Sequence, residues 1–192
     1  MKRLFDILFS TIGLLVLFPL FLVVSIFIKF DSRGPVFFRQ ERIGRNFKPF
    51  RIFKFRSMTI DAPEKGPSIT VGGDKRVSRV GTFLRKTKID ELPQLINVVK
   101  GNMSFVGPRP EVKKYVEMFR KDYEKLLTIR PGITDPASLK YSNEEAVLSS
   151  SSDWEKDYTD RILPEKIRLA SEYVERHNIY TDLKLIVKTV FR

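Results

Sequence analysis

The chain has 192 residues, of which 42% are hydrophobic and 30% charged, a length and composition that suit one folded domain with an appendage. It contains no cysteine and one histidine, which excludes disulfides, thiol nucleophiles and Cys/His zinc sites. The formal net charge of +12 at pH 7 makes a membrane surface and nucleic acid the two candidate partners. The lone His177 is more typical of a surface or packing residue than of a general base.

The first predicted element is an apolar segment, Ile7 to Ile28, which carries no charge and is long enough to cross a hydrocarbon core. No small-residue cleavage site follows it, so we do not interpret it as a signal peptide. Pro19 predicts a break or kink in its middle. Cations flank both ends, so the positive-inside rule favours neither orientation. A re-entrant hairpin and a kinked spanning helix remain equally open on these residues.

The positive charge is concentrated near this segment. Residues 1–58 contain 11 Lys or Arg and three acidic residues, a surplus of 8 out of the total of +12. Basic residues beside an apolar segment favour contact with anionic lipid headgroups. The aromatic residues nearby are nearly all Phe, which suits a lipid boundary better than a stacking platform for bases. We therefore expect membrane lipids as partners and no nucleic acid.

The next predicted element is a β-hairpin, with strands at residues 35–40 and 50–57 around a turn at residues 44–46. Alternation along the second strand places Lys54 and Arg56 on one face. A solvated outer face is the simpler interpretation of such a pair unless an anion is found for it. Residues 61–74 are rich in Gly and Pro and have the composition of a loop that could order over a ligand.

A helix is predicted next, from apolar positions at helical spacing and a terminating glycine: Leu92, Leu95, Ile96, Val99 and Gly101. Pro93 fits only its first turn, and either Thr87 or Asp90 could cap it. Asp90 and Glu91 then lie where the helix dipole favours ionised carboxylates, as metal ligands or as a nucleophile. A capping box is the simpler interpretation of this pair taken alone.

The rest of the chain reads as helices joined by two rigid turns, each of which holds an arginine beside proline. Arg109 lies between Pro108 and Pro110, and Arg130 precedes Pro131. Amphipathic helices are predicted over residues 112–127, from Pro164 with Ile167, Ala170, Tyr173 and Val174 inward, and over residues 182–191 with Leu183, Ile186, Val187 and Val190 as its apolar face. We find no Walker or Rossmann glycine pattern.

Several cations are candidates to surround the carboxylate pair: Lys54, Arg56, Arg85, Arg109 and Arg130. Rigidly held cations beside carboxylates suggest a site for a phosphorylated substrate with a divalent metal. Carboxylates together with substrate phosphates are the usual ligands of Mg²⁺ in such sites.

The order of these motifs resembles the bacterial sugar transferase family, the monotopic polyprenyl-phosphate phosphoglycosyl transferases. The resemblance covers residues 1 to about 135 and rests on an apolar N-terminal segment with a central proline and five linked motifs: Phe38-Arg-Gln-Glu-Arg-Ile-Gly44, Phe53-Lys-Phe-Arg-Ser-Met58, Ile89-Asp-Glu-Leu-Pro-Gln94, Met103-Ser-Phe-Val-Gly-Pro-Arg-Pro110 and Arg130-Pro-Gly-Ile-Thr134.

The resemblance implies an α+β, mainly helical fold. It implies a re-entrant membrane helix over residues 1–32, broken at Pro19, and a catalytic domain with a β-hairpin over residues 33–192, at the cytoplasmic face of the bacterial inner membrane. It also implies a UDP-sugar donor, a polyprenyl (undecaprenyl) phosphate acceptor, release of UMP, and Mg²⁺. By motif, Asp90 would be the nucleophile, Glu91 a Mg²⁺ ligand, and three cations would face the phosphates: Lys54, Arg85 and Arg109.

The chain departs from the family pattern at two places. Many members have Ser before the helix-breaking proline, where this chain has Phe18. Many also continue after the Arg-Pro-Gly-Ile-Thr motif with an Asn-Gly-Arg whose arginine lies near the substrate, whereas this chain reads Asp135-Pro-Ala-Ser-Leu-Lys-Tyr-Ser142. Lys140 is a candidate to supply the missing charge. Two rival classes are a non-catalytic basic membrane-bound adaptor and a nucleic-acid binder whose affinity falls steeply with salt.

Overall fold

The computed structural model describes residues 2–62, 66, 69–70 and 72–191. It is an α+β structure, mainly helical, as the resemblance implies. The elements in chain order are α1 (Lys2–Asp31), β1 (Phe37–Ile43), β2 (Pro49–Phe55), α2 (Arg79–Lys86), α3 (Gln94–Lys100), β3 (Ser104–Val106), α4 (Lys113–Met118), α5 (Arg120–Leu126), β4 (Gly132–Thr134), α6 (Pro136–Lys140), α7 (Glu144–Ser149), α8 (Trp154–Asp157), α9 (Leu163–Arg176) and α10 (Ile179–Val190). A 3₁₀ turn at Ile89–Glu91 precedes α3, and a π-helical turn at Tyr158–Ile162 precedes α9.

The N-terminal apolar segment forms one helix, α1, that continues through Pro19. The proline removes an amide donor but does not divide the helix into two, and a kink at Pro19 stays a prediction. Among the described residues, α1 is the one helix long and apolar enough to cross a membrane.

One face of α1 packs on the globular body over nearly its whole length. Five residues of this face are buried at helical spacing: Asp6, Ser10, Phe21, Val24 and Ile28. Toward the helix C-terminus, Phe21, Val24 and Ile28 form a core cluster with Phe55 of β2 and Leu84 of α2. The opposite face exposes bulky apolar side chains, including Leu15, Val16 and Phe18. One face of α1 therefore contributes to the core, and the opposite face is a candidate lipid-facing surface.

The predicted hairpin is confirmed. Strands β1 and β2 pair antiparallel with Phe37 opposite Phe55 and Ile43 opposite Pro49. Asn46 and Phe47 in its turn have φ of 56° and 59°, the left-handed region that non-glycine residues seldom adopt. A second, parallel pair joins β3 to β4 and was not predicted, since three residues are too few to show an alternating pattern. The predicted loop at 61–74 includes positions 63–65, 67–68 and 71, which lie outside the described residues.

The helix predicted over residues 112–127 is two helices, α4 and α5. They meet at Phe119, whose φ and ψ of −114° and 36° are not helical. The helix that contains Pro164 is confirmed as α9, with Ile167, Ala170 and Tyr173 buried. The last predicted helix is confirmed as α10, but its apolar face is not inward: Leu183, Val187 and Val190 are exposed. Its buried residue is Asp182, which pairs with Lys2 at the start of α1.

Candidate functional site

The carboxylate pair lies between two helices, in a short turn whose geometry differs from the prediction. Thr87 ends α2, since its hydroxyl donates to carbonyls of that helix, and so it does not cap α3. Lys88 then adopts φ 58°, and Asp90 and Glu91 occupy the 3₁₀ turn Ile89–Glu91. Helix α3 begins only after Pro93 and ends at Gly101, whose φ of 84° confirms the predicted terminator.

Helix α3 contacts the body through a face that differs by one position from the prediction. Leu95 and Val98 are buried, together with the polar Gln94 and Asn97. Val99, predicted as part of the apolar face, is exposed. Asn97 explains the difference, because it accepts from the amide of Phe53 and donates to the carbonyl of Arg51, which fixes α3 on β2. The hairpin strand that carries Lys54 is thereby held beside the carboxylate pair.

Asp90 is buried and its Oδ1 has no hydrogen-bond partner among the described residues. The side chain caps neither the turn nor α3, so the capping-box interpretation does not hold. Burial raises the pKa of Asp90 to about 6, with the negative charge of Glu91 acting in the same direction, against the lowering effect of Lys54 and Arg85. This corrects the expectation that the helix dipole dominates. The pKa stays below neutrality, so the ionised form predominates at pH 7.

Glu91 is the centre of an ion-pair cluster that joins two of the predicted cations. Lys54 Nζ lies 2.7 Å from its Oε1. Arg109 donates to both carboxylate oxygens, with 2.5 Å from Nη2 to Oε1 and 3.3 Å from Nη1 to Oε2. Burial alone would raise the pKa of Glu91, but Arg109 and Lys54 outweigh it and hold that pKa well below its usual range. Glu91 in turn raises the pKa of Arg109.

The turn that carries Arg109 is fixed by Asp135, a role that was not predicted from the sequence. Asp135 accepts from the backbone amide of Arg109 at 3.3 Å and from the amide of Ser138 at 2.6 Å, so it caps α6 and holds the turn at once. Gly107 permits the close approach, since a Cβ there would lie 2.3 Å from the carbonyl oxygen of Arg130. The Asp-Pro pair signals a helix start, but its contact with residue 109 has no local signal.

Arg85 lies near Asp90 and contributes to its electrostatics. Its guanidinium pairs with Glu145 on α7 and lies 3.4 Å from Ser57 Oγ. Neither partner was identified from sequence. The Glu145 side chain is 45% exposed, so this pair is open to solvent at the edge of the site.

Arg56 and Arg130, both predicted to bind substrate phosphate, have other contacts. Arg56 is buried and donates to the carbonyls of Ser32 and Arg33, just after α1. Arg130 donates through Nε to the carbonyl of Gly101 at the far end of α3. Strand alternation placed Arg56 on the same face as Lys54, but it could not show that the segment after α1 accepts from the Arg56 guanidinium. Lys140 pairs with Glu165, in contact with α9.

The carboxylates of the site are candidate ligands for a divalent metal. The described residues include no cluster of three or more His, Cys, Asp or Glu side chains that could hold a metal ion. The unpartnered Oδ1 of Asp90 and the adjacent carboxylate of Glu91 are nevertheless the oxygen donors that Mg²⁺ prefers. A Mg²⁺ ion fits this pair only if substrate phosphates and water complete its coordination.

Comparison with known proteins gives a consistent set of relatives. The sequence profile described as bacterial sugar transferase matches residues 1–192. The chain is 39% identical over 200 residues to the exopolysaccharide production protein PSS of Rhizobium leguminosarum bv. phaseoli, with 99% of this chain and 93% of that protein covered.

Two further relatives are named for a reaction. The chain is 36% identical to the UDP-N-acetylgalactosamine-undecaprenyl-phosphate N-acetylgalactosaminephosphotransferase of Aeromonas hydrophila, with 98% of this chain and 42% of that protein covered. It is 35% identical to the UDP-glucose:undecaprenyl-phosphate glucose-1-phosphate transferase of Escherichia coli (strain K12), with 100% and 40% covered. The chain thus spans about two fifths of the length of these two relatives.

Proposed function

The chain belongs to the bacterial sugar transferase family, and on that premise we propose that it transfers a sugar 1-phosphate from a UDP-sugar to undecaprenyl (polyprenyl) phosphate, with release of UMP. Two relatives are named for this class of donor and acceptor. The Rhizobium relative is named for exopolysaccharide production, which suits a first membrane step in the synthesis of a glycoconjugate.

The observation that carries the mechanism is the state of Asp90. Its carboxylate is buried, its Oδ1 has no hydrogen-bond partner among the described residues, and Lys54 and Arg85 favour its charged form. A carboxylate oxygen without a hydrogen-bond donor keeps its lone pairs available, which suits a nucleophile. Glu91 is the opposite case, because Lys54 and Arg109 occupy its oxygens. The two neighbours therefore have different roles.

In the first step, an Asp90 oxygen attacks the sugar-bearing phosphorus of the donor. A bond forms between that oxygen and phosphorus, the bond from phosphorus to the bridging oxygen breaks, and UMP leaves with the electron pair. In the second step, an oxygen of the acceptor phosphate attacks the same phosphorus. The acyl phosphate bond breaks, Asp90 is regenerated, and a sugar-diphosphate polyprenol is the product.

The cations stabilise the charge that develops on the transferred phosphate. Arg109 and Lys54 already lie on a carboxylate, so their donors are positioned for phosphate oxygens without further ordering. Arg85 can exchange the exposed Glu145 carboxylate for a donor phosphate. If the two cations that contact Glu91 pass from it to the substrate phosphates, the freed Glu91 carboxylate and Asp90 would hold a Mg²⁺ ion, which would supply additional neutralisation of the diphosphate.

The membrane arrangement is part of the proposal. Residues 1–32 serve as the anchor and residues 33–192 as the catalytic domain, with both ends of α1 at the cytoplasmic face. Support comes from contacts at the two ends of α1: Lys2 pairs with Asp182, while the carbonyls of Ser32 and Arg33 accept from Arg56. A helix that crossed a core about 30 Å thick would carry one of its ends out of reach of a body on the other side.

The deciding experiment tests for the covalent intermediate. The purified chain is incubated with a panel of UDP-sugars and Mg²⁺ without acceptor, and its intact mass is measured together with UMP release. We expect an adduct of one sugar phosphate and stoichiometric UMP, both absent from Asp90→Asn and after chelation of the metal. Addition of undecaprenyl phosphate should discharge the adduct.

Absence of the adduct and absence of turnover lead to different conclusions. Turnover with acceptor but no adduct would replace the covalent step with direct attack by the acceptor. No turnover with any donor would favour the alternative, a non-catalytic basic adaptor. Glu117→Gln is the matched control, because Glu117 is an exposed carboxylate that pairs with Arg120, away from the cluster.

A further inference from the structure

A second cationic site lies at the other end of α3 from the carboxylate pair. The hairpin turn and the residues after α3 enclose an open cleft of about 320 Å³, here called the turn cleft, whose lining includes Arg45, Lys48, Phe50, Gly101, Asn102 and Arg130. Helix α3 has seven residues, so it separates this cleft from the carboxylate pair by about 10 Å. The turn cleft is therefore not part of the Asp90 site.

The charge of the turn cleft is uncompensated. Three of its lining residues are cations, and no acidic side chain lines it among the described residues. Arg45 and Lys48 are exposed and have no ion-pair partner in the described part of the chain. Arg130 uses Nε to donate to the carbonyl of Gly101 at 2.8 Å, which orients its guanidinium. Its remaining N–H groups have no partner among the described residues, so they are free for an anion.

Backbone geometry holds these cations on one rim. The turn residues Asn46 and Phe47 both have positive φ, although neither is glycine. The amide of Asn46 donates to the carbonyl of Leu127, and Arg120 lies over the ring of Phe47 at 4.7 Å. The turn is thus tied to α5 in an uncommon conformation that places Arg45 and Lys48 at the cleft. Strained backbone of this kind persists where surrounding contacts over-determine it.

The turn cleft lies beside the start of the apolar helix. Arg3 of α1 donates to the carbonyls of Val98 and Val99 in the last turn of α3, and its Nη2 approaches Gly101. The next residues of α1 expose apolar side chains, including Leu4 and Leu8. A ligand in the cleft would therefore meet cations on one side and the beginning of a candidate lipid-facing surface on the other.

We propose that the turn cleft is a second anion-binding site, which takes a phosphate group through Arg45, Lys48 and Arg130. Arginine and lysine together give the donor geometry and charge that phosphate oxygens require. The volume is at the small end of ligand sites, enough for a phosphate with a glycerol-sized substituent. That chemistry is shared by the headgroup of an anionic phospholipid and by a soluble phosphate monoester.

The two sources can be separated with the full chain in nanodiscs. Hydrogen exchange of residues 44–50 is measured by mass spectrometry in phosphatidylcholine discs, with and without glycerol 1-phosphate, and in discs that contain phosphatidylglycerol. Slower exchange with phosphatidylglycerol alone identifies a lipid headgroup as the ligand. Slower exchange with glycerol 1-phosphate as well identifies a site open to soluble phosphate. No change in either arm overturns the proposal.

Variants make the assignment specific. Arg45→Ala/Lys48→Ala should raise the half-saturating ligand concentration about tenfold or more, since two charge-assisted contacts are lost. Lys113→Ala/Lys121→Ala removes the same charge from exposed positions outside the cleft and should leave it unchanged. Equal binding by both variants would show that the slower hydrogen exchange reflects net charge only, and it would contradict an anion site in the turn cleft. The readout is local and independent of turnover, so it does not depend on the proposed function.

Discussion

Arg109 and Glu91 form a two-point ion pair, with 2.5 Å from Nη2 to Oε1 and 3.3 Å from Nη1 to Oε2. The arginine lies between two prolines, and the Asp135 carboxylate accepts from its backbone amide. Contacts of both the side chain and the backbone of Arg109 thus hold its planar guanidinium beside the carboxylate pair.

Arg109→Lys tests whether this geometry matters beyond charge. An ammonium can replace the charge but not the two parallel bonds, so we expect turnover to fall by about 10- to 100-fold. Lys121→Ala, an exposed charge outside the site, should be neutral. UMP release at matched membrane loading measures both. Equal activity of the two variants would reduce residues 107–110 to a structural turn.

The ends of α1 provide a test of the membrane arrangement. The chain has no native cysteine, so Lys2→Cys/Asp182→Cys can be treated in membranes with a short bismaleimide. Because Lys2 and Asp182 are in contact, we expect an intramolecular cross-link. Leu15→Cys/Asp182→Cys is the control, since Leu15 lies about 20 Å further along the helix and is exposed. Cross-linking of the control alone would contradict attachment of the helix start to the body.

Gly81 tests the packing between α2 and the strand end that leads to the site. A Cβ on Gly81 would lie 1.9 Å from the carbonyl oxygen of Ser57, so neither backbone could remain in place. We expect Gly81→Ala to lower the unfolding free energy by about 1–3 kcal/mol, the range typical of overpacking, and to reduce turnover. Gly13→Ala is the control, because its Cβ would meet only the end of the Leu95 side chain at 3.3 Å. Equal thermal midpoints for the two variants would contradict the close approach.

Glu111 predicts a dependence of stability on pH. Burial would raise its pKa, but Lys166 and Arg42 outweigh this and lower it, and Tyr158 donates to it as well. The pKa of Glu111 is thus lower in the folded state than in the unfolded state, where it is near 4.3 to 4.5. The ionised carboxylate therefore stabilises the protein at pH values above the unfolded pKa. This stabilisation is lost as the pH falls through the folded pKa.

Glu111→Gln should therefore destabilise the protein at pH 7, by about 3–5 kcal/mol for a broken buried ion pair, and by less at pH 3. Thermal unfolding followed by circular dichroism in nanodiscs at the two pH values measures the difference. Glu117→Gln, exposed and paired with Arg120, should show little effect at either pH. A loss for Glu111→Gln that does not change with pH would remove ionisation from the explanation.

Local signals predicted the hairpin, the end of α3 at Gly101 and the helix that contains Pro164, because alternation, a left-handed terminator and helical spacing act within a few residues. The Asp90 and Glu91 pair was recognised for the same reason: its two members are adjacent in the chain. Sequence reasoning also placed Lys54 and Arg109 near Glu91, which the contacts of Glu91 match.

The remaining features depend on contacts between distant segments. Arg56 shares a strand face with Lys54, but carbonyls at the end of α1 and just after it accept from its guanidinium. Asp90 lies in the turn before α3, yet burial, and not the dipole of that helix, has the largest effect on its pKa. The pairing of Arg85 with Glu145, 60 residues later, has no local sequence signal.

The two faces of α1 together have a consequence for the folding of the protein. Phe21, Val24 and Ile28 complete the cluster around Phe55 and Leu84, while the opposite face of the same helix is apolar and exposed. Removal of the helix to obtain a soluble fragment would uncover Phe55 and Leu84 and leave the buried Arg56 without the Ile28 acceptor and the ordered segment that follows it. We therefore expect the globular part to complete its core only when α1 is in place against Phe55 and Leu84.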